Sequence, residues 1–226
     1  MGWENPAASR RQHMPTSRRT APPLTTKVQP AQQRATETFE RILDAAAKTL
    51  TEVGIERLST NLVCERAGLS PPALYRYFPN KYALLHELGQ RLMQRQNECV
   101  AKWMSVEVIQ GGVPALEQAL AGLLLDTYEA TRATAGGVWI MRAMRAVPAL
   151  QEVRLASHAA VTEAQTQLLV QALPGARRAE LKLASRIVVE LIYATVEMLF
   201  DESLKPKEVA RITAGMLASH LAKVKA

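Results

Sequence analysis

Twelve prolines do more than any other feature to limit what this 226-residue chain can form, because proline lacks a backbone N–H and its ring clashes with the preceding helical turn. Five of them (6, 15, 22, 23 and 30) lie in the first 33 residues among Ser, Thr, Gln and Arg. The other seven (71, 72, 79, 114, 148, 174 and 206) fall at or beside the ends of segments with helical periodicity. Phe39, Ile42, Leu43, Ala46, Ala47, Leu50 and Val53 recur at spacings of three and four, and Gly54 then offers a left-handed stop. The same rhythm predicts helices over about 36–53, 60–67, 71–78, 81–107, 114–133, 137–146, 149–172, 176–202 and 206–224. No alternating run argues for strands, so the expected class is all-α with about nine helices.

Composition narrows the setting. With 48% hydrophobic and 22% charged residues the chain is an ordinary globular one. Glu190 and Glu197 interrupt its most apolar stretch, so no membrane helix and no membrane partner are expected. Cys64 and Cys99 are too few for a disulfide scaffold and lack zinc-type spacing, which points to a reducing cytoplasm with no metal and no cofactor. Cys64 reads as a small core residue and Cys99 as part of a long connecting helix. The formal charge is +7, but residues 1–33 hold Arg10, Arg11, Arg18, Arg19 and Lys27 against the single acid Glu4. That stretch reads as a flexible basic arm, either a plain extension or one that touches DNA. It has no secretory apolar region, and Pro6 occupies the position where a myristoylation signal needs Ser or Thr.

Function is concentrated in 58–85, L-S-T-N-L-V-C-E-R-A-G-L-S-P-P-A-L-Y-R-Y-F-P-N-K-Y-A-L-L. Ser59 or Thr60 can cap a first short helix, Gly68 ends it, and Ser70 followed by Pro71 starts a second. Two short helices joined by a turn of about three residues make a helix-turn-helix, whose second helix commonly enters a DNA major groove. At about 100° per residue, Leu74 and Phe78 share the inner face of that second helix, while Pro72 and Arg76 point away, flanked by Ala73 and Tyr75. The outward set is then one guanidinium, the phenols of Tyr75 and Tyr77, and small apolar groups. Arg76 can serve a phosphate, a base or solvent alone, while tyrosine hydroxyls commonly bond phosphate oxygens. Asn80 and Lys81 open the next helix, where Lys81 would hold the DNA backbone.

The helix over 36–53, the A-G-L-S turn, Leu74-Tyr75, Phe78 and Lys81 together resemble the DNA-binding signature of the tetracycline-repressor (TetR) family of bacterial transcriptional regulators, over roughly residues 36–88. The resemblance implies a homodimer with an N-terminal three-helix DNA-binding domain at 34–80 and a helical ligand-binding and dimerisation domain at 81–226. It also implies a palindromic double-stranded operator and a small-molecule effector that releases the DNA. Thr60, Tyr75 and Lys81 match positions that commonly grip phosphates, and Tyr77 matches one that is more often His. Together with Ser70, Pro72, Ala73 and Arg76 these are the expected DNA contacts. Pro71 and Pro72 depart from the family pattern, so any base reading there is by apolar contact, as with thymine methyls. Residues 34–80 carry six basic and six acidic side chains, so attraction to DNA must come from sidedness, from Lys81 and from the arm.

Past residue 107 the helices carry wide apolar faces. Leu183, Ile187, Leu191, Ala194 and Met198 form one stripe over 176–202, and Val188, Ile192, Thr195 and Leu199 form another. Val209, Ile212, Met216 and Leu217 add a third on the last helix. Either the last two helices of each chain build a four-helix dimer interface, or both stripes bury within one monomer. Trp103, Tyr128, Trp139, Met144, His158 and Tyr193, with Met104 and Met141, are the residues suited to line an adaptable cavity, although such residues also serve as plain core. No nucleophile elbow, P-loop, metalloprotease helix or dinucleotide fingerprint occurs, so no enzymatic activity is expected. The competing reading is a helical protein-interaction module without sequence-specific DNA binding.

Overall fold

A computed structural model describes residues 22–27 and 33–223. Among the described residues there are ten helices and no strand: α1 (Gln33–Arg57), α2 (Thr60–Ala67), α3 (Pro71–Tyr75), α4 (Lys81–Trp103), α5 (Val106–Gln110), α6 (Gly112–Ala133), α7 (Gly137–Ala146), α8 (Pro148–Ala172), α9 (Arg178–Asp201) and α10 (Pro206–Lys223). The tenth helix arises because the segment expected over 81–107 is two. Met104 leaves helical geometry (φ −109°, ψ 121°), and the Ser105 hydroxyl then caps α5 by accepting from Val108 N. A serine cap inside an apolar helical rhythm is a start signal that periodicity alone overlooks.

The N-terminal helices end where the sequence places their stops. Gly54 sits at φ 73°, a left-handed value, and interrupts α1. Gly68 at φ 62° closes α2, its N–H directed to the carbonyls of Cys64 and Glu65, while the Ser59 hydroxyl caps the other end by accepting from Leu62 N. Phe39, Ile42, Leu50, Val63, Leu74 and Phe78 bury together between α1, α2 and α3, and the Phe39 and Phe78 rings stack 4.9 Å apart. Cys64 is buried among them, as expected of a small core residue.

Helix α4 leaves this unit and packs on α6, α7 and α8. With 23 residues it spans about 35 Å. The rest forms a helical layer in which α6 packs closely on α10 and α8 on α9, with α7 wedged between α1, α4 and α8. One continuous buried cluster runs from Phe39 to Leu221. No helix among the described residues is long and apolar enough to cross a membrane.

Close approach is needed where Trp103, near the end of α4, lies over Gly122 of α6: a Cβ there would sit 2.4 Å from the indole. Gly122→Ala is therefore expected to destabilise the protein by about 1–3 kcal/mol through forced displacement of Trp103. Gly215→Ala, whose Cβ would meet only Glu117 Oε1 at 3.6 Å, should be neutral or slightly stabilising. Urea unfolding followed by tryptophan fluorescence checks both.

Candidate nucleic-acid interface and effector cavity

The outward surface of the two-helix unit is built on Leu74 and Phe78, which are fully buried and fix the roll of α3. Ser70, Pro71, Pro72, Tyr75 and Arg76 are exposed and Ala73 is half-buried. Ser70 adopts cap geometry, yet its hydroxyl makes no capping bond. The prolines explain this: neither Pro71 nor Pro72 has an N–H to offer, and Ala73 N already donates to Ser70 O at 3.0 Å. The Ser70 hydroxyl is thus left facing solvent. Across the turn, Thr60 Oγ1 and the Tyr75 hydroxyl lie 2.9 Å apart, so one hydroxyl pair bridges the start of α2 and the end of α3.

Two expected contacts are corrected. Tyr77 is not on the outward face: it is 6% exposed, with its ring set edge-on against Phe39 at 6.0 Å. The helix expected over 71–78 ends at Tyr75, and a tighter turn from Tyr77 N to Leu74 O (2.9 Å) accompanies the inward placement of residue 77. Lys81 is half-buried, and its ammonium donates to Leu58 O (3.1 Å) and Ile55 O (3.4 Å). Two of its three N–H donors hold the α1–α2 connection, which makes it a latch between helices more than an outstretched cation.

Part of the supposed flexible arm is docked. In residues 22–27, Leu24 packs on the core, Asn80 Nδ2 donates to Pro23 O (2.9 Å) and Lys27 N donates to Tyr77 O (2.8 Å). Asn80 works in both directions, since its Oδ1 accepts from Tyr82 N and Ala83 N to cap α4. Pro22 and Pro23 stiffen the strap and Leu24 gives it an apolar anchor, a short signal that the polar composition around it conceals. Arg10, Arg11, Arg18 and Arg19 lie outside the described residues.

Charge is distributed by pairing. Arg91 of α4 forks onto Glu40 of α1 (2.6 and 2.8 Å) and also reaches Glu87 (2.9 Å). The hydrogen bonds from Arg91 hold the Glu40 carboxyl below its usual range. Arg66 pairs with Glu52 and Lys48 with Asp44.

A partly open cavity of about 80 Å³ lies among α4, α6, α8 and α9. Its walls include Met93, Val100, Leu120, Leu123 and Ile192, and its polar residues include His158, Ser185 and Tyr193. His158 Nδ1 lies 3.0 Å from Glu190 Oε1, and the His158 ring meets Tyr193 edge-on at 4.7 Å. Burial pushes the His158 pKa down against the upward pull of Glu190, so the ring is neutral, and burial pushes the Tyr193 phenol up. His158, Tyr193 and Met104 line this space, as the sequence suggests.

Four other expected lining residues lie elsewhere. Trp103 donates to Asp126 Oδ2 (2.7 Å), Tyr128 stacks on Phe200 (4.7 Å), and Trp139 lies beside Gly54 with Arg142 over its ring. Met144 is fully buried against Gly89 where α7 crosses α4. Met141 is likewise buried outside the lining. Ser185 was missed; its place on α9 seven residues before Ile192 puts both on one helical face.

A third surface is apolar and exposed. Leu183 (62% exposed), Ile187 and Leu191 line the outer side of α9, and Ile212 and Met216 (70%) line α10, which packs beside it. Of the two α9 stripes, the one containing Ile192 and Leu199 is buried.

Residues 42–88 match the family model described as bacterial regulatory proteins, tetR family. An uncharacterised HTH-type transcriptional regulator of Mycobacterium tuberculosis is 36% identical over 102 residues, 45% of this chain and 51% of that protein. The chain thus spans about half the length of the first curated relatives it matches. The class C tetracycline repressor of Escherichia coli is 41% identical over 54 residues, 24% of this chain and 25% of that one. These relatives are transcriptional regulators and not enzymes. Among solved structures, the transcriptional regulator FadR of Bacillus subtilis in complex with stearoyl-CoA shares the fold, with a TM-score of 0.61 at 16% identity over 80% of this chain and 98% of that one.

Asn80 gives a direct check on the strap. Asn80→Ala removes both the cap and the donor to Pro23 and should cost about 1–2 kcal/mol. Asn80→Asp keeps a capping acceptor and loses only the donor, so it should cost less than half as much. Denaturant unfolding reads the first effect, and faster amide exchange at Lys27 in both variants reads the second.

Proposed function

Since the chain belongs, through residues 42–88, to the tetR family of bacterial regulatory proteins, we propose that it is a dimeric, sequence-specific DNA-binding regulator, a repressor that a small molecule releases from a palindromic operator. The observation that carries the DNA-binding reading is the exposed Thr60–Tyr75 hydroxyl pair beside Ser70, Pro72, Ala73 and Arg76, on a helix whose inner residues are wholly buried. Hydroxyls and a guanidinium suit phosphate oxygens, and Pro72 and Ala73 suit thymine methyls. Residues 34–80 form the reading head in this proposal, with Lys81 positioning it and Tyr77 supporting it from inside. Residues 81–226 hold the effector and the partner subunit.

Support for the dimer comes from Leu183, Ile187, Leu191, Ile212 and Met216. A stripe of this size on two adjacent helices is the kind of apolar surface that a monomer seldom leaves in water. Pairing it about a twofold axis gives a four-helix interface and places two reading heads on successive major grooves, about 34–36 Å apart.

Helix α4 supplies the link between effector and DNA. Its first three turns are latched to the reading head through Asn80, Lys81 and the Arg91–Glu40 fork, while Met93, Val100 and the adjoining Met104 wall the cavity. A tilt of about 5° along a helix of this length moves one end by about 3 Å, enough to spoil a fixed half-site spacing.

Selection from random duplex DNA should enrich a palindrome bound with a steep salt dependence. Tyr75→Phe, which keeps the fold and removes one hydroxyl, should weaken binding about threefold to tenfold in fluorescence anisotropy. Failure to enrich any sequence at low salt would instead favour a protein-interaction module. For the dimer, Met216→Glu together with Ile187→Glu should give monomers by sedimentation and abolish operator binding while leaving helical content intact. A dimer that survives both changes would place the interface elsewhere.

A further inference from the structure

The polar groups around the cavity, Gln165 apart, fall into two sets. Gln96 Nε2 donates to Thr131 Oγ1 (2.8 Å), Thr127 Oγ1 to Leu123 O (2.8 Å), and Ser157 Oγ to Asn97 Oδ1 (3.1 Å), so these atoms already have partners. His158 Nε2, Ser185 Oγ and the Tyr193 hydroxyl have no hydrogen-bond partner, although all three residues are at least nine-tenths buried. Unpaired polar atoms in an apolar enclosure are costly, and a ligand that pairs them recovers that cost.

Their chemistry specifies the complement. The Glu190 carboxylate can only accept, and its bonds from His158 and Arg186 (2.5 Å) keep it ionised despite partial burial. His158 Nδ1 must therefore carry the proton that faces it, and in a neutral ring this leaves Nε2 as a bare lone pair that needs a donor. Tyr193, in edge contact with that ring, brings an O–H that needs an acceptor. A hydroxyl group answers both at one atom, donating to His158 Nε2 and accepting from Tyr193. A carboxylate has no hydrogen for Nε2, an ether only accepts, and an ammonium has no lone pair for Tyr193. Arg154 and Arg186 pair with Glu190 (3.6 and 2.5 Å), and although Arg154 Nε and Arg186 Nη1 also have no hydrogen-bond partner, neither residue lines the cavity.

We infer that the effector is an uncharged hydrophobic molecule bearing a hydroxyl group, an alcohol or a phenol, with its hydroxyl between His158 and Tyr193 and its apolar body along Met93, Val100, Leu120 and Leu123. This rests on the reading of the cavity as the effector site. Ser185, two turns before Tyr193 on α9, lies about 12 Å away along the helix, within reach of a second polar substituent further along the same molecule.

Two matched probe series test it on the full-length protein by calorimetry: 4-octylphenol, 4-octylanisole and 4-octylbenzoate, and 1-dodecanol, 1-methoxydodecane and dodecanoate. Each hydroxyl compound is expected to bind about threefold to tenfold more tightly than its ether and its carboxylate. In Tyr193→Phe, and in His158→Phe, which keeps a ring against residue 193, that ratio should collapse to about one. Tyr193→Phe carries the test if His158→Phe fails to fold. An ether or carboxylate that binds best, or a hydroxyl preference that survives Tyr193→Phe, overturns the inference and leaves the cavity as an effector site. No binding by any of the six compounds overturns the effector-site reading as well.

Discussion

Helix α4 belongs to two packing environments at once, and the rest of the structure depends on that continuity. At its N-terminus Asn80 caps the first turn while also holding the strap at Pro23, and Lys81 closes on the carbonyls of Ile55 and Leu58. At the residue next to Phe39, whose ring stacks on Phe78, the bidentate Arg91–Glu40 contact binds α4 to the flank of α1. Bidentate charge-assisted bonds fix angle as well as distance, so the roll of α4 and the attitude of α1 are set together. Further along, the same helix packs on α6 and α8 and gives the cavity part of its wall. Displacement at one end therefore has a rigid path to the other.

Much of the N-terminal unit was legible in the sequence because its signals are local. Gly54 and Gly68 take the left-handed conformations that stop their helices, Ser59 caps as its position suggests, and Leu74 and Phe78 fall on the buried side. Tyr77 was misread because a wheel assumes that the helix continues; α3 ends at Tyr75, the chain tightens at Tyr77, and Tyr77 and Phe78 lie inside. The split at Ser105 was concealed by the opposite effect, an apolar rhythm that persists across a real break. In the C-terminal half, periodicity shows which faces are apolar but not what each one meets. The two α9 stripes look alike in sequence, yet one is core and the other is bare. Trp103, Tyr128, Trp139 and Met144 were drawn into core contacts by their volume, while small Ser185, which carries little hydrophobic signal, faces the cavity.

Net charge proved to be a weak guide for the same reason. Six acids balance six bases in residues 34–80, and several of the bases are engaged within the protein: Arg66 with Glu52, Lys48 with Asp44, Arg57 with the carbonyl of Val53. What the outward face presents is chiefly hydroxyls, small apolar groups and Arg76. In the proposed DNA-binding role, such a surface would discriminate by fit more than by field.

The placement of the unpaired polar atoms bears on how the proposed release would work. His158 and Tyr193 lie on α8 and α9, which pack on one another, and α9 carries the exposed stripe of the proposed dimer seam on its other side. An effector anchored there would be held by the part of the molecule that the proposed dimer would make rigid. On α4, Met93 and Val100 offer apolar contacts, which are non-directional and yield to a shift in position, and the Gln96 and Asn97 side chains that also line the cavity are bonded to Thr131 and Ser157. A ligand can move an equilibrium only by the difference in its affinity for two states. Fixed polar anchors on α8 and α9 against a compliant apolar wall on α4 provide such a difference, because the energy that depends on geometry is made on the stationary side and the displacement is taken up by the helix that carries the reading head.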